Sequence, residues 1–496
     1  MKKYRSQIII LLVLGAVLRV INIDSADFWR DEAFTLRAAV MNFGDMWSAL
    51  TNDTAPPLYT IILHYWLKIF PLTEFWARVP SLLFGVGTIY ATYLLAKELF
   101  PYSRKYIYLS TLFVALNPVL IFYSQEARAY SLLSLLATIS LYLIVKVSGS
   151  EKVKRSDWLL LSITTIAGLY TQNLFIFIAF VNGLIIFFHK LNIKDFRQSI
   201  KHIAPLFLSY LAAGIVFLPW FFIFLEQSST VSEGGFWLTL DPLHDPYNTL
   251  KDAFTGEQTW VDSEMVRTVL VYLSNVLAGM FILGSLVTIY KHRKNDKFNQ
   301  KLLLVLAWTL VNFLIVYAYG FKTSFVYIRY LIYLIVPVLV ITLIPILNIR
   351  IPKTMKYLLI IFVIGVLAVY SFITLGSIPD SKAHMEELVT QVETVNDQDT
   401  LILHPHAYTF HGFDVYSDLD SYVYSPTDDL PYFEGLAALT EKDYYRNVEI
   451  RDYNQVLVIY LWGEDERLTV ELEKNYKKTD NYDYAGNLHL DIWTLK

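Results

Sequence analysis

The chain is 496 residues long, 55% hydrophobic and 16% aromatic, with a formal net charge of −4. Hydrophobic content this high, with a positive mean hydropathy, excludes an ordinary soluble globular protein and points to many membrane spans. Cysteine is absent, which excludes disulfides and thiolate metal sites, and the basic residues lie in short loops rather than on one folded face, which argues against a nucleic-acid partner.

The first apolar segment, 8–21, follows Lys2, Lys3 and Arg5. A positive flank marks the inner face, so the loop after this segment is expected outside. Arg19 and the lack of a small-x-small cleavage pattern favour a retained helix over a cleaved signal peptide. The outer loop, 22–77, opens with FWRDEAF, which sets Asp31 beside Glu32. Adjacent carboxylates at a membrane surface suit proton transfer or ion binding, because half-dry surroundings tune their pKa; the plainer reading is an acidic pair capping a surface helix. Asp53 lies further along the same loop. Next comes PLYTIILHYWLKIF, Pro57 to Phe70, which is apolar but only 14 residues long. A span needs about 20 residues, so this stretch is expected to lie along the outer surface.

Further apolar runs occupy 78–99, 105–123, 128–147, 157–171, 173–188, 203–225, 266–290, 302–319, 326–347 and 356–375. The pair 157–171 and 173–188 is short and predicts a tight hairpin. Basic clusters follow alternate runs: Lys97/Arg104/Lys105, Lys146/Lys152/Lys154/Arg155, Lys190/Lys194/Arg197/Lys201, Lys291/Arg293/Lys294/Lys297/Lys301 and Arg350/Lys353/Lys356. The positive-inside rule places all of them with the N-terminus. The expected fold is therefore a polytopic α-helical membrane protein of about 11 spans over residues 1–375, N-terminus inside, with a small extracytoplasmic α/β domain over 376–496. From Gly376 onward 9 Lys/Arg face 24 Asp/Glu, so the tail has its own acidic character. Its runs 400–405, 456–462 and 489–495 predict buried strands, and 382–396 and 465–475 predict helices. No internal repeat appears.

The same topology gathers charged and polar residues on the outer face. Arg78 opens the second span; Glu126, Arg128 and Tyr130 lie in or beside the short loop YSQEARAY; Gln172 and Asn173 form the hairpin tip; Arg329 begins the run VYIRYLIY. Charges at membrane depth are expensive unless they serve a site or pin helix ends in salt bridges. Arginines opposite carboxylates are what a phosphate-bearing ligand and a base require.

Taken in order, FWRDEAF, TAPPLYT, ARVPSLLFGV, NPVLIFYSQEARAYSLL and FVYIRYLIYLIVP closely resemble the motifs of GT-C glycosyltransferases. The nearest branch is the group around the protein O-mannosyltransferases and the lipid A aminoarabinose transferase, glycosyltransferase family 39-like. The resemblance covers roughly residues 1–350. It implies an integral-membrane hexosyl- or pentosyltransferase that moves a sugar from a polyprenyl-phosphate donor to a glycan, lipid or protein acceptor on the outer face. Asp31 matches the family's loop aspartate, a candidate base, and Glu32 its acidic neighbour. Arg128 matches the arginine of the second outer loop, a candidate for the donor phosphate, with Arg329 and Arg78 as further phosphate candidates. Asp53, Tyr59, Glu126, Tyr130, Gln172 and Asn173 complete the candidate site. Two positions depart from the family: Ala55 before the Pro-Pro pair and Gln172-Asn173 at the hairpin tip stand where His is frequent. The sequence thus assigns no certain cofactor and leaves a divalent metal open, with Asp31, Glu32 and Asp53 as available ligands.

Other readings predict different features. A lipid-linked sugar flippase would carry charges at mid-membrane and repeat symmetry. A polysaccharide polymerase or ligase would share the outer face but not these loop motifs. A non-catalytic scaffold presenting the acidic tail would not need the conjunction of carboxylates and arginines.

Overall fold

Pro118 breaks what the sequence presents as one continuous span. The computed structural model describes residues 2–496 except 151, 192–195, 235–237, 257–263, 293–296, 350, 379–381, 428–429, 432–433 and 452. In chain order its helices begin with α1 (Lys2–Val20), α2 (Arg30–Val40), α3 (Phe43–Asn52), α4 (Leu58–Leu67), α5 (Glu74–Leu99), α6 (Arg104–Ala115) and α7 (Pro118–Phe122). Next are α8 (Tyr130–Ser148), α9 (Arg155–Leu169), α10 (Phe175–Lys190), α11 (Phe196–Gly234), α12 (Asp245–Thr255) and α13 (Glu264–His292). The last are α14 (Lys297–Gly320), α15 (Ile335–Asn348), α16 (Lys353–Ser377), α17 (Met385–Val395), α18 (Ala407–Tyr416) and α19 (Glu466–Asn475). These elements divide into one unit of residues 1–21, 79–226 and 235–376, and a second of 22–78, 227–234 and 377–496.

The first unit is a helical membrane assembly. Among the described residues six helices are long and apolar enough to cross a bilayer, or seven if the pair α6–α7 is one bent span. The bend is 56°. Proline cannot donate the helical hydrogen bond and disfavours α geometry in the residue before it. Asn117 supplies the replacement, accepting from Leu120 N–H at 3.0 Å and donating to the Ala253 carbonyl at 2.8 Å. The expected hairpin is present as α9 and α10, and a side chain at Gly168 would collide with the Phe175 ring packed on it. A buried polar chain ties three helices: Trp308 Nε1 donates to Asn182 Oδ1 at 2.7 Å, and Asn182 Nδ2 donates to Ser140 Oγ at 2.6 Å. The run 326–347 becomes helical only from Ile335, after a 3₁₀ turn at Ile332–Leu334, so Arg329 sits on irregular backbone. Aromatic and β-branched residues crowd that stretch and are weaker helix formers.

In the second unit α2, α3 and α4 accompany a six-stranded sheet. Its strands are β1 (Thr400–His404), β2 (Tyr422–Tyr424), β3 (Tyr444–Tyr445), β4 (Gln455–Leu461), β5 (Tyr476–Tyr484) and β6 (Leu488–Leu495), in the order β3-β2-β1-β4-β6-β5. The first four pair in parallel, while β6 runs antiparallel to both β4 and β5. Alternate residues of β1, β4 and β6 feed two apolar clusters, one with Leu388, Val392 and Phe413, the other with Leu468 and Leu472. The three expected strands and both expected helices are present. Strand β5 and helix α18 were not legible, since YKKTDNYDY is mostly exposed and becomes a strand through pairing with β6. At ten residues, α4 extends only about 15 Å, half of a bilayer's apolar thickness.

Candidate functional site

The carboxylate pair sits on the first turn of α2, where the unpaired N–H groups of a helix start favour negative charge. Its two members have different surroundings. Glu32 is fully buried and Asp31 is half-buried. Glu32 Oε2 accepts the Trp29 N–H at 3.0 Å, holding the turn from within. Arg78 grips the same carboxylate with Nε to Oε1 at 2.9 Å and Nη2 to Oε2 at 3.1 Å, and Lys382 Nζ donates to Oε2 at 2.5 Å. Burial alone would raise the Glu32 pKa; Arg78 and Lys382 outweigh it and hold the group well below the usual carboxylate range.

Arg78 is fully buried and uses every donor it has. Besides Glu32 it serves the carbonyls of Ile23 at 2.7 Å, Ala26 at 2.8 Å and Asp27 at 3.0 Å. It folds the 22–32 loop around itself and keeps no N–H for a phosphate. Glu32 likewise has both oxygens engaged, which removes one of the three carboxylates considered for a divalent ion. Among the described residues no group of three or more His, Asp or Glu side chains is placed to hold a metal.

Further contacts fasten residues 22–78 to the C-terminal residues of the same unit. Tyr416 Oη donates to Glu74 Oε1 at 2.6 Å and accepts the Phe28 N–H at 2.8 Å. Asp27 Oδ2 accepts the Glu386 N–H at 2.8 Å; burial, partly offset by that bond, raises the Asp27 pKa. Arg37 binds Asp443 at 2.8 Å, the Ala438 carbonyl at 3.1 Å and Asp414. Lys382, Tyr416 and Arg37 were not singled out from the sequence. Only Lys382 left a trace there, as the first basic residue of an acidic tail.

The remaining candidates are spread over both units. In the second, Asp53 closes the C-terminus of α3 through its N–H to the Ala49 carbonyl at 3.0 Å, and Tyr59 is buried on α4. In the first, Glu126 is buried and Arg128 half-buried, and the Arg128 N–H donates to the Glu126 carbonyl at 2.8 Å. The Arg128 guanidinium lies 5.8 Å from the Tyr130 ring centroid, and Ser81 Oγ donates to the Arg128 carbonyl at 3.2 Å. Arg329 is flanked by Tyr327 and Tyr330 at 5.4 and 5.2 Å. Gln172 and Asn173 form the turn between α9 and α10, as expected.

No protein-family model matches the chain, and no curated protein matches it in sequence. Solved structures do. ArnT from Cupriavidus metallidurans in the apo state aligns over 99% of this chain and 98% of its own, with a TM-score of 0.61 and 10% identity. The same protein bound to undecaprenyl phosphate aligns over 98% and 97%, with a TM-score of 0.59 and 11% identity. Archaeal oligosaccharyltransferase AglB from Archaeoglobus fulgidus, in complex with an inhibitory peptide and a dolichol-phosphate, aligns over 99% of this chain and 74% of its own, with a TM-score of 0.53 and 10% identity. At such identities the likeness speaks to architecture alone: the chain has the fold of a multi-pass membrane protein and aligns with ArnT over nearly the whole length of both.

Proposed function

We propose that the chain is an integral-membrane glycosyltransferase that moves a sugar from a polyprenyl-phosphate donor to an acceptor at the outer membrane surface. The observation that carries this reading is the division of labour within the carboxylate pair. Arg78 and Lys382 neutralise Glu32 and fix the first turn of α2, while Asp31 beside it is half-exposed. The fold shared with ArnT and AglB, solved with undecaprenyl phosphate and dolichol-phosphate, supports a lipid-linked donor.

In this reaction the acceptor hydroxyl attacks the anomeric carbon of the donor. As the new C–O bond forms, Asp31 takes the hydroxyl proton. The bond between the anomeric carbon and the phosphate oxygen breaks, and polyprenyl phosphate leaves as an anion. Arg128 and Arg329 are assigned to that phosphate, where positive charge stabilises the leaving group. Arg78 drops from the phosphate candidates because its donors are all engaged, and with Glu32 becomes a positioning pair. Eleven spans with the N-terminus inside would put residues 376–496 and the α2 turn on the outer face. Identification of the donor comes from reconstituting the chain with polyprenyl-phosphate sugars and following sugar release. Failure of every such donor in the wild type, with an intact fold, overturns the assignment.

A further inference from the structure

The strands β1 and β4 lie side by side and parallel, yet the chain leaves their carboxyl ends in opposite directions: α18 leads from β1 to β2, and α19 leads from β4 to β5 beyond β6. Diverging connections open a crevice at that end of a sheet, the usual place for a ligand in open α/β folds. In the first turn of α18 stands Tyr408, and directly after β4 stands Trp462. Between them lies Arg30, its guanidinium 4.8 Å from the Trp29 ring centroid, 5.3 Å from Tyr408 and 5.2 Å from Trp462. Arg30 makes no hydrogen bond or ion pair among the described residues, so its five N–H donors are open to solvent or ligand.

Trp462 has two unusual properties. Its backbone is left-handed, with φ at 70°, a conformation that costs a bulky residue energy and that collects at ligand clamps. Its indole is nonetheless 55% exposed, so burial of the ring does not repay the strain. An anion is a poor match for the crevice, because carboxylates already occupy both helix starts. Glu434 accepts the Ala407 N–H at 3.0 Å, and Asp465 accepts the Leu468 N–H at 2.8 Å. A neutral polyol with an apolar face fits better. The C–H face of a pyranose carries weak positive charge and lies against the electron-rich face of an indole, while its hydroxyls accept from a planar guanidinium fork.

We propose that Arg30, Trp29, Tyr408 and Trp462 form a saccharide-binding subsite, and that the acceptor of this protein is a glycan held there one residue away from Asp31. The acceptor role rests on the transferase reading above; saccharide binding itself does not.

The test uses the full chain in lipid nanodiscs on an array of immobilised hexose, N-acetylhexosamine and uronic-acid oligosaccharides, with phosphoserine peptides as a second set of spots. The wild type is expected to bind a subset of the glycans and leave the phosphopeptides blank. Glycine adopts the backbone of position 462 without strain, so Trp462→Gly should keep the melting temperature while weakening glycan binding about tenfold or more; Trp462→Tyr should stay within about threefold of wild type. Tyr408→Leu carries the same expectation of loss should Trp462→Gly fail to fold. Glycan binding equal to wild type in these variants, or binding to phosphopeptides alone, overturns the subsite. Donor consumption is measured on the same preparation. Donor consumed without glycan binding overturns the subsite and leaves the transferase; glycan binding that depends on Trp462 without donor consumption does the reverse.

Discussion

Lys382 reaches across 350 sequence positions to donate to Glu32 at 2.5 Å, and both side chains are almost completely buried. Arg78 completes the cluster by donating to both oxygens of the same carboxylate. Two cations around one carboxylate form a unit that tolerates loss of its members unequally. Removing Lys382 leaves a bidentate Arg78–Glu32 pair, whereas removing the charge of Glu32 leaves two buried cations facing each other.

Asp31→Asn and Glu32→Gln should therefore fail in different ways. Asp31→Asn is expected to fold normally and to lose at least about a hundredfold in sugar transfer, as expected for a general base. Glu32→Gln should lower stability by about 3–5 kcal/mol, the usual result of breaking a buried pair, and lose activity through unfolding. Melting temperatures alongside initial rates separate the two. An unaltered melting temperature in Glu32→Gln would contradict the positioning role.

Acid should destabilise the second unit in two overlapping stages. His404 and His411 are fully buried, and burial foremost pushes both pKa values down to about 3. The unfolded chain then binds more protons than the folded one, so stability is full above pH about 6.5 and falls by about 1.4 kcal/mol per pH unit per histidine until the folded pKa is reached. Glu32, lowered by its two cations against the opposing effect of burial, adds a second loss that begins below pH about 4.3. Among the described residues neither ring nitrogen of His404 has a hydrogen-bond partner, and Phe410 and Phe413 pack on it at 5.7 and 5.4 Å. His404→Leu should raise stability at neutral pH and flatten the loss between pH 6 and 4 by about half. Denaturant titration at several pH values reads both effects.

Arg128 is the test of the phosphate assignment. Lysine keeps the charge but loses the planar fork, so Arg128→Lys should weaken donor-analogue affinity about tenfold and Arg128→Ala should nearly abolish donor use, with both variants stable. Unchanged donor affinity in Arg128→Ala would move the assignment to Arg329.

Orientation is checked with reporters. One fused after Lys496 should be active outside the cell and one placed within 149–155 inside, following the alternation of basic loops. A cytoplasmic C-terminus would overturn the parity of the spans and make the Pro57–Phe70 stretch a crossing.

Helix packing in the membrane unit offers a contrast between two glycines of α13. A Cβ at Gly284 would meet the Ile341 backbone carbonyl of α15, which cannot rotate away, while none of the described residues lies within 4 Å of a Cβ at Gly279. Gly284→Ala should cost about 1–3 kcal/mol of thermal stability and Gly279→Ala almost nothing.

The membrane character, the α9–α10 hairpin, the acidic α/β tail with its strands β1, β4 and β6, and the carboxylate pair at 31–32 were all determined by the sequence alone. Each is written in a local pattern: apolar runs set against alternating basic loops, short buried strands, or a motif of seven residues. The bend at Asn117 was also present locally, in the Asn-Pro step, but a continuous apolar run concealed it. Only the tertiary structure decided which carboxylate of the pair is neutralised, because Arg78 and Lys382 lie 46 and 350 positions from Glu32 and nothing in the local pattern ties them to it. The same holds for the cage around Arg30, whose rings come from the α2 turn, from α18 and from the end of β4. Contacts between residues so far apart depend on how the sheet is wound, and strand order has no signature in composition or period.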